Sequence, residues 1–424
     1  MKENRKYLYV IVTDYPFGIG EPFLEAELFI VAKRFTAVYV IIPESHRVDK
    51  SLKRFKLPEN AVLIEFNISA GKADKLKALS QAFDPINRLE RQYINGPYKQ
   101  RFSSFHLKTL IGFRSMANKF EQEFSRLLTK HHHAPEQVTL YSYWFFYVTA
   151  GLAWIKQQNP KYRVITRVHG WDCFFERSAG NYLPLRPWVA KTIDGIYAIS
   201  EVGRKYTMVK LPGIPHEKFN KSYLGIDALP EPQIRVSTKG KLHILSLAFI
   251  DPVKRLDRIV NALSKVQNTE IHWTHIGNAP DGNTRLQELA EARLSHLQKI
   301  TFSFKGELSK EEVFSFFKQH HPDLLICTSS SEGLPVSMME AMGHGIGVLS
   351  VDVGGIAEIV RNDFNGVLLP GDADNESIAK SLEKWASMTE DERIKRGLNA
   401  YQIYYEYFSA PKNYLNFFEE ALQG

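Results

Sequence analysis

Short apolar runs alternate with stretches of helical spacing along much of the chain. Lys6 to Thr13 is the first run. Phe23 to Phe35 then sets Leu24, Leu28, Val31 and Ala32 on one helical face, ahead of a second run at Ala37 to Ile42. The pattern predicts strands at Val138 to Trp144, Tyr162 to Val168 and Ile196 to Ser200, with a helix over Phe145 to Gln157. It resumes with strands at His243 to Ala248, Ile271 to Gly277 and Leu324 to Cys327. Apolar strands separated by helices predict an α/β fold. Between the two series, Ala228 to Lys241 carries Pro230, Pro232, Ser237, Thr238 and Gly240, so the hinge is expected there. The domains then run 1–228 and 240–404, with an aromatic-rich helical tail in Tyr401 to Leu422.

The stretch Leu324 to Glu358 carries the most chemistry. A buried strand leads into the loop Thr328 to Leu334, and Pro335 is expected at the first position of a helix that stops near Gly343. Unpaired N–H groups at a helix start favour an anion. Glu332 lies in the loop and Glu340 in the helix, among Met338, Met339 and Met342. A carboxylate in apolar company needs a partner, and a vicinal diol offers two donors. A diphosphate at the helix start, with a sugar and a ribose at the two carboxylates, makes one coherent ligand: a nucleotide sugar.

Glu332 and Glu340, with Gly333-Leu334-Pro335 between them, resemble the E-x7-E signature of glycosyltransferase family 4, the retaining enzymes of bacterial cell-surface and exopolysaccharide synthesis. The resemblance implies a GT-B fold: two Rossmann-like domains facing each other across a cleft, with a C-terminal helix, about 405–424, crossing back to the first. The first would bind the acceptor and the second the donor. It implies that Glu332 contacts the donor sugar, Glu340 the ribose, and the amides of Gly333, Leu334 and Val336 the diphosphate. His169-Gly170-Trp171-Asp172 resembles the family's H-G-x-D, which puts His169 and Asp172 at the donor. Gly18 and Gly20 stand in the loop after the first strand, near the phosphates and the acceptor in that family. Leu224-Gly225-Ile226-Asp227 resembles its N-G-V-D. In the segment Phe249 to Asp257, Lys254 aligns with the lysine that holds the diphosphate, but Phe249 replaces the usual Arg and Arg255 the usual Gly. Arg255 is the candidate to compensate. Gly277, Gly306 and Leu308 correspond to backbone near the nucleotide, and Gly354-Gly355 with Glu358 match the family's G-G-x-x-E.

Composition narrows the setting. With 44% hydrophobic and 24% charged residues the chain is an ordinary globular one, and no apolar run reaches the roughly 18 residues of a membrane span. Cys173 and Cys327 read as reduced core thiols. Tyr7 to Val12 is too short for a signal segment, so the expected location is cytoplasmic, with peripheral attachment to the inner face of the plasma membrane open to it. The net charge of +7 is uneven: 34 Lys and Arg face 20 Asp and Glu in residues 1–225, and 20 face 27 in the rest. A basic first half points to an anionic partner, an anionic membrane surface or a lipid-phosphate acceptor before nucleic acid. Arg91 to Lys119 contains no acidic residue and many aromatics, in the least readable part of the chain, residues 46–133. His131-His132-His133 reads as a polar loop rather than a metal tract, and Asp372-Ala373-Asp374 as a helix cap.

The expectation is a hexosyl transfer from a UDP or GDP sugar to a glycan or lipid-linked acceptor, with His169, Glu332 and Lys254 at the reaction and no metal or other cofactor. A nucleotide-sugar epimerase of the same architecture and a catalytically decayed sugar- or membrane-binding scaffold are the alternatives.

Overall fold

The computed structural model describes residues 5–422 except 19, 22, 52–54, 82–83 and 228. The chain divides into two compact units, Met1–Gly225 with Ala410–Gly424, and Ile226–Ser409.

The first unit holds β1 (Tyr7–Ile11), β2 (Ala37–Ile42), β3 (Ala61–Glu65), β4 (Val138–Ser142), β5 (Arg163–Val168), β6 (Gly195–Ala198) and β7 (Phe219–Lys221). They form one parallel sheet in the order β3-β2-β1-β4-β5-β6-β7. Both faces are covered over the middle of the sheet, which is why β1 and β2 read as unbroken apolar runs rather than alternating ones. Tyr9, Ile11, Leu140 and Val164 pack into one apolar layer, while Leu8, Val10, Tyr141 and Ile165 pack into the other. The second layer includes Tyr414, Phe417 and Leu422 of the chain's last segment.

The second unit holds β8 (Lys241–Leu247), β9 (Glu270–Ile276), β10 (Ile300–Phe304), β11 (Leu324–Cys327), β12 (Gly347–Val351) and β13 (Gly366–Leu369). Its parallel sheet runs β10-β9-β8-β11-β12-β13. Each sheet reverses its winding once, between β1 and β4 and between β8 and β11. In doubly wound sheets ligands bind outside the carboxyl ends of the strands at that reversal.

Four expectations need correction. The chain leaves the first unit at Gly225–Ile226, not within Ala228 to Lys241. The proline-rich stretch belongs to the second unit: Leu229 N–H donates to Tyr404 Oη at 3.0 Å, and Ser237 N–H to Asp323 Oδ1 at 2.7 Å. The tail is two pieces, because the helix Glu390–Tyr407 ends inside the second unit and a new helix, Ala410–Phe417, begins the return. Pro335 is the N-cap, with extended ψ of 118°, and the helix runs Val336–Gly343. Residues 46–133 contain β3 and the helices Lys72–Ser80, Pro85–Asn95 and Ser104–His131. Asp374 is a helix cap, its side chain accepting from Ser377 N–H at 2.8 Å.

Candidate active site

In the second unit, the loops after β8 and β11 meet at the winding reversal. Asp251 caps the short turn Pro252–Lys254 by accepting from Val253 N–H at 2.9 Å. Ser330 N–H donates to Val253 O, and Thr328 Oγ1 to Arg255 O, both at 2.8 Å. Sewn together in this way, the loops bring Lys254 Nζ to 2.7 Å from Glu332 Oε1, with both side chains largely buried.

Gly354 braces the pair from below. Its φ is +60°, and a Cβ there would lie 1.8 Å from Glu332 O, so a side chain would displace the Glu332 backbone. Gly355 N–H donates to Gly333 O at 3.0 Å. Directly after this loop, the helix Val336–Gly343 begins without a side-chain cap. Its first N–H groups and the positive end of its dipole are what an anion would meet.

Glu340 lies in the second turn of that helix. Burial pushes its carboxyl up to about 7, opposed by the charge of Lys310 and reinforced by that of Asp227. Lys310 Nζ is itself 2.5 Å from Asp227 Oδ2. The Glu340 carboxylate accepts no hydrogen bond among the described residues. Lys310 and Asp227 were not anticipated as neighbours of Glu340, since they arrive from different loops; Asp227 was legible only as the end of the N-G-V-D-like motif.

The other expected donor residues of this unit divide. Gly277 has φ +132°, and a Cβ there would lie 1.9 Å from Ala248 O, so only glycine fits beside the β8 loop. Its N–H donates to Gly306 O at 2.8 Å, which joins the turns after β9 and β10; Leu308 is half-buried two residues on. A left-handed backbone (φ +47°) turns Arg255 to Asp257, at 3.1 Å, and the pair is exposed. Phe249 is 45% exposed.

The first unit carries the remaining candidates. His169 follows β5, buried between Tyr143 and Trp144 with ring centroids at 4.7 and 4.3 Å. Among the described residues neither ring nitrogen has a hydrogen-bond partner, Nδ1 lying 3.8 Å from Asp172 Oδ2; burial, opposed by Asp172, holds the pKa below the ordinary value, so the ring is neutral at pH 7. Asp172 is fully buried. One of its oxygens accepts from His169 N–H at 2.7 Å and the other from Phe145 N–H at 2.9 Å. Through these two bonds it orients the His169 loop.

Gly18 and Gly20 border Asp14. A Cβ on Gly18 would lie 1.7 Å from Asp14 Oδ2, so glycine is what lets that carboxylate fold over the turn. The amides that this turn would offer to a phosphate are already taken: Glu21 accepts from the N–H groups of Thr13, Asp14 and Tyr15 at 2.8, 3.0 and 2.9 Å, and from Trp144 Nε1 at 2.6 Å. Burial raises the Glu21 carboxyl to about 7 against those donors. The sequence reading passed over Glu21 and Asp14; an acid after a glycine turn at a helix start was the available signal.

Among the described residues, no group of three or more His, Cys, Asp or Glu is placed to hold a metal ion, and no helix is long and apolar enough to cross a membrane.

Residues 230–402 match the family described as Glycosyl transferases group 1. This segment contains Lys254, Glu332 and Glu340. The chain is 26% identical to the O-antigen biosynthesis glycosyltransferase WbnH of Escherichia coli, over 51% of this chain and 58% of that one. It is 28% identical to the colanic acid biosynthesis glycosyltransferase WcaL, assigned as putative, of E. coli K12, over 54% and 57%. The match thus spans somewhat more than half the length of these relatives. Among solved structures, Anabaena HepE in complex with UDP superposes with a TM-score of 0.62 at 14% identity, covering 98% of each chain. The lipopolysaccharide outer core galactosyltransferase WaaB superposes with a TM-score of 0.66 at 16% identity, covering 98% and 99%. Two Rossmann-like units and these neighbours establish the GT-B fold.

Proposed function

We propose that the protein is a retaining glycosyltransferase that moves a hexose-type sugar from a UDP or GDP sugar to a glycan or lipid-linked acceptor in surface polysaccharide synthesis. The observation that carries this reading is the Lys254–Glu332 pair at the β8/β11 reversal, next to an uncapped helix start, with the Glu340 carboxylate, which accepts no hydrogen bond among the described residues, one turn further on. The diphosphate meets the amides of Gly333 to Val336 and draws the Lys254 ammonium from Glu332. Glu332 is then free to accept from donor-sugar hydroxyls, and Glu340 from the ribose diol. The developing charge on the leaving diphosphate is stabilised by groups already in place, without a metal cofactor. On the first unit, the neutral His169 ring offers unpartnered nitrogens suited to a sugar hydroxyl. The polysaccharide assignment follows the names of the relatives, and the nucleotide class is supported by the UDP held in the HepE structure. The basic balance of residues 1–225 suits a cytoplasmic enzyme that works at an anionic membrane surface.

The test is thermal unfolding of the full chain with UDP-, GDP-, ADP- and CDP-linked sugars. A ligand that binds only the folded protein raises the melting temperature. A UDP or GDP sugar should raise it, and Glu340→Ala should weaken that nucleotide at least tenfold. Failure of all four classes to shift the wild-type protein removes the reading.

A further inference from the structure

The His169 ring is oriented by packing. Among the described residues neither of its nitrogens has a hydrogen-bond partner, and Asp172 Oδ2 lies 3.8 Å from Nδ1, beyond hydrogen-bond range. An imidazole without a polar anchor keeps its orientation only as firmly as the rings that enclose it. One wall, Tyr143, is fully buried, and its N–H donates to Ile11 O at 3.0 Å. The other wall is Trp144, which also meets Trp171 at a centroid distance of 5.2 Å. Trp171 is 43% exposed and gives it little support. The Trp144 backbone is pinned, since Ser142 Oγ and Thr149 Oγ1 donate to its carbonyl at 2.6 and 3.0 Å. What remains is rotation of the indole about its side-chain bonds.

Glu21 removes that freedom. Its carboxylate accepts from the amides of Thr13, Asp14 and Tyr15, and from Trp144 Nε1 at 2.6 Å. A buried indole N–H needs such a partner, and a bond to a carboxylate is stronger than one between neutral groups. A chain of contacts therefore runs from the turn after β1 to the Trp144 indole, and on to the His169 ring at a centroid distance of 4.3 Å. Glu21 is fully buried, so it acts through this chain and not on a ligand. We infer that Glu21 is a positioning residue that sets the orientation of the His169 imidazole through the indole of Trp144. That His169 serves sugar transfer rests on the transferase reading; that Glu21 orients its ring does not.

The test follows the His169 ring signal by NMR in the full-length protein carrying 13C-labelled histidine, assigned by its loss in His169→Gln. Glu21→Gln replaces one acceptor oxygen by an amide nitrogen, so four N–H donors compete for the oxygen that is left. Trp144→Phe keeps an aromatic wall and the clamp on the turn but deletes the indole N–H. Glu21→Gln should shift the His169 signal in the wild-type background and leave it unmoved in the Trp144→Phe background, where the path is already cut. Glu21→Asp, one methylene too short to reach both the amides and the indole, serves in case Glu21→Gln does not fold, and a cooperative thermal melt reports folding in each. In parallel, release of UDP from UDP-glucose or of GDP from GDP-mannose should fall about tenfold in kcat with the donor KM unchanged, because the groups proposed to hold the nucleotide lie in the second unit. An unmoved signal in the folded Glu21 variants, the same shift with and without the Trp144 N–H, or a loss confined to KM overturns the inference. Should the wild-type protein turn over neither donor, the transferase reading is weakened and the ring signal alone decides the role of Glu21.

Discussion

At the scale of single residues, the protonation state of Glu340 is the sharpest lever. Its carboxyl titrates at about 7 because it is desolvated. A ribose diol donates to a carboxylate, so the ionised form is the binding form. Nucleotide affinity should therefore rise as pH climbs through 7, about tenfold between pH 6 and 8, and then level off. Calorimetry over that range checks it, and Glu340→Gln should flatten the dependence. An affinity independent of pH in the wild-type protein would separate Glu340 from the ribose. Of the residues read from the sequence, Glu332 and Lys254 stand side by side in the structure, and motif spacing had singled out both. The contacts of Arg255 and Asp172 were not legible. Their directions depend on a left-handed turn and on two backbone amides that spacing does not report.

Among the elements, the returning helix Ala410–Phe417 has the clearest energetic role. Phe417 is 1% exposed and covers the guanidinium of Arg167 at 4.1 Å. Arg167 is fully buried and paired with Glu27 at 3.0 Å, while its Nε donates to Tyr141 Oη at 2.9 Å. A buried ion pair is stable only while its enclosure is complete. Phe417→Ala opens that enclosure and should cost about 3–5 kcal/mol. Urea unfolding followed by fluorescence measures it; a loss under about 1 kcal/mol would show that the helix does not seal the pair. Strands such as β1, β2 and β11 were the easiest elements to read, since both sheet faces are covered there and each is a nearly continuous apolar run. The short β7 and the helix Arg186–Thr192 escaped, being too brief to show a period.

For the molecule as a whole, three carboxyls, Glu21, Glu90 and Glu340, are raised to about 7 by burial. A raised carboxyl pKa stabilises the fold fully below the unfolded value, about 4.5, and that contribution is lost as pH rises through the folded value. Nine histidines among the described residues, His243 and His275 down to about 4, are held low by burial and act in the opposite sense, up to somewhat above 6.5 where the unfolded imidazole is still partly protonated. The carboxyl contribution is therefore read as a difference: the melting temperature of Glu90→Gln relative to the wild type should rise as pH climbs from 5 to 8, and parallel pH profiles for the two proteins would show that Glu90 is ionised in the fold. The chain's own pattern determined the α/β class, the order of most strands and the residues around the Val336–Gly343 helix, because periodicity and short-range loop chemistry are local properties. Tertiary structure alone decided that the proline-rich stretch belongs to the second unit and that Glu21 fills the first turn. Those outcomes follow from which distant segments pack together, and from donors and acceptors that meet only after they do.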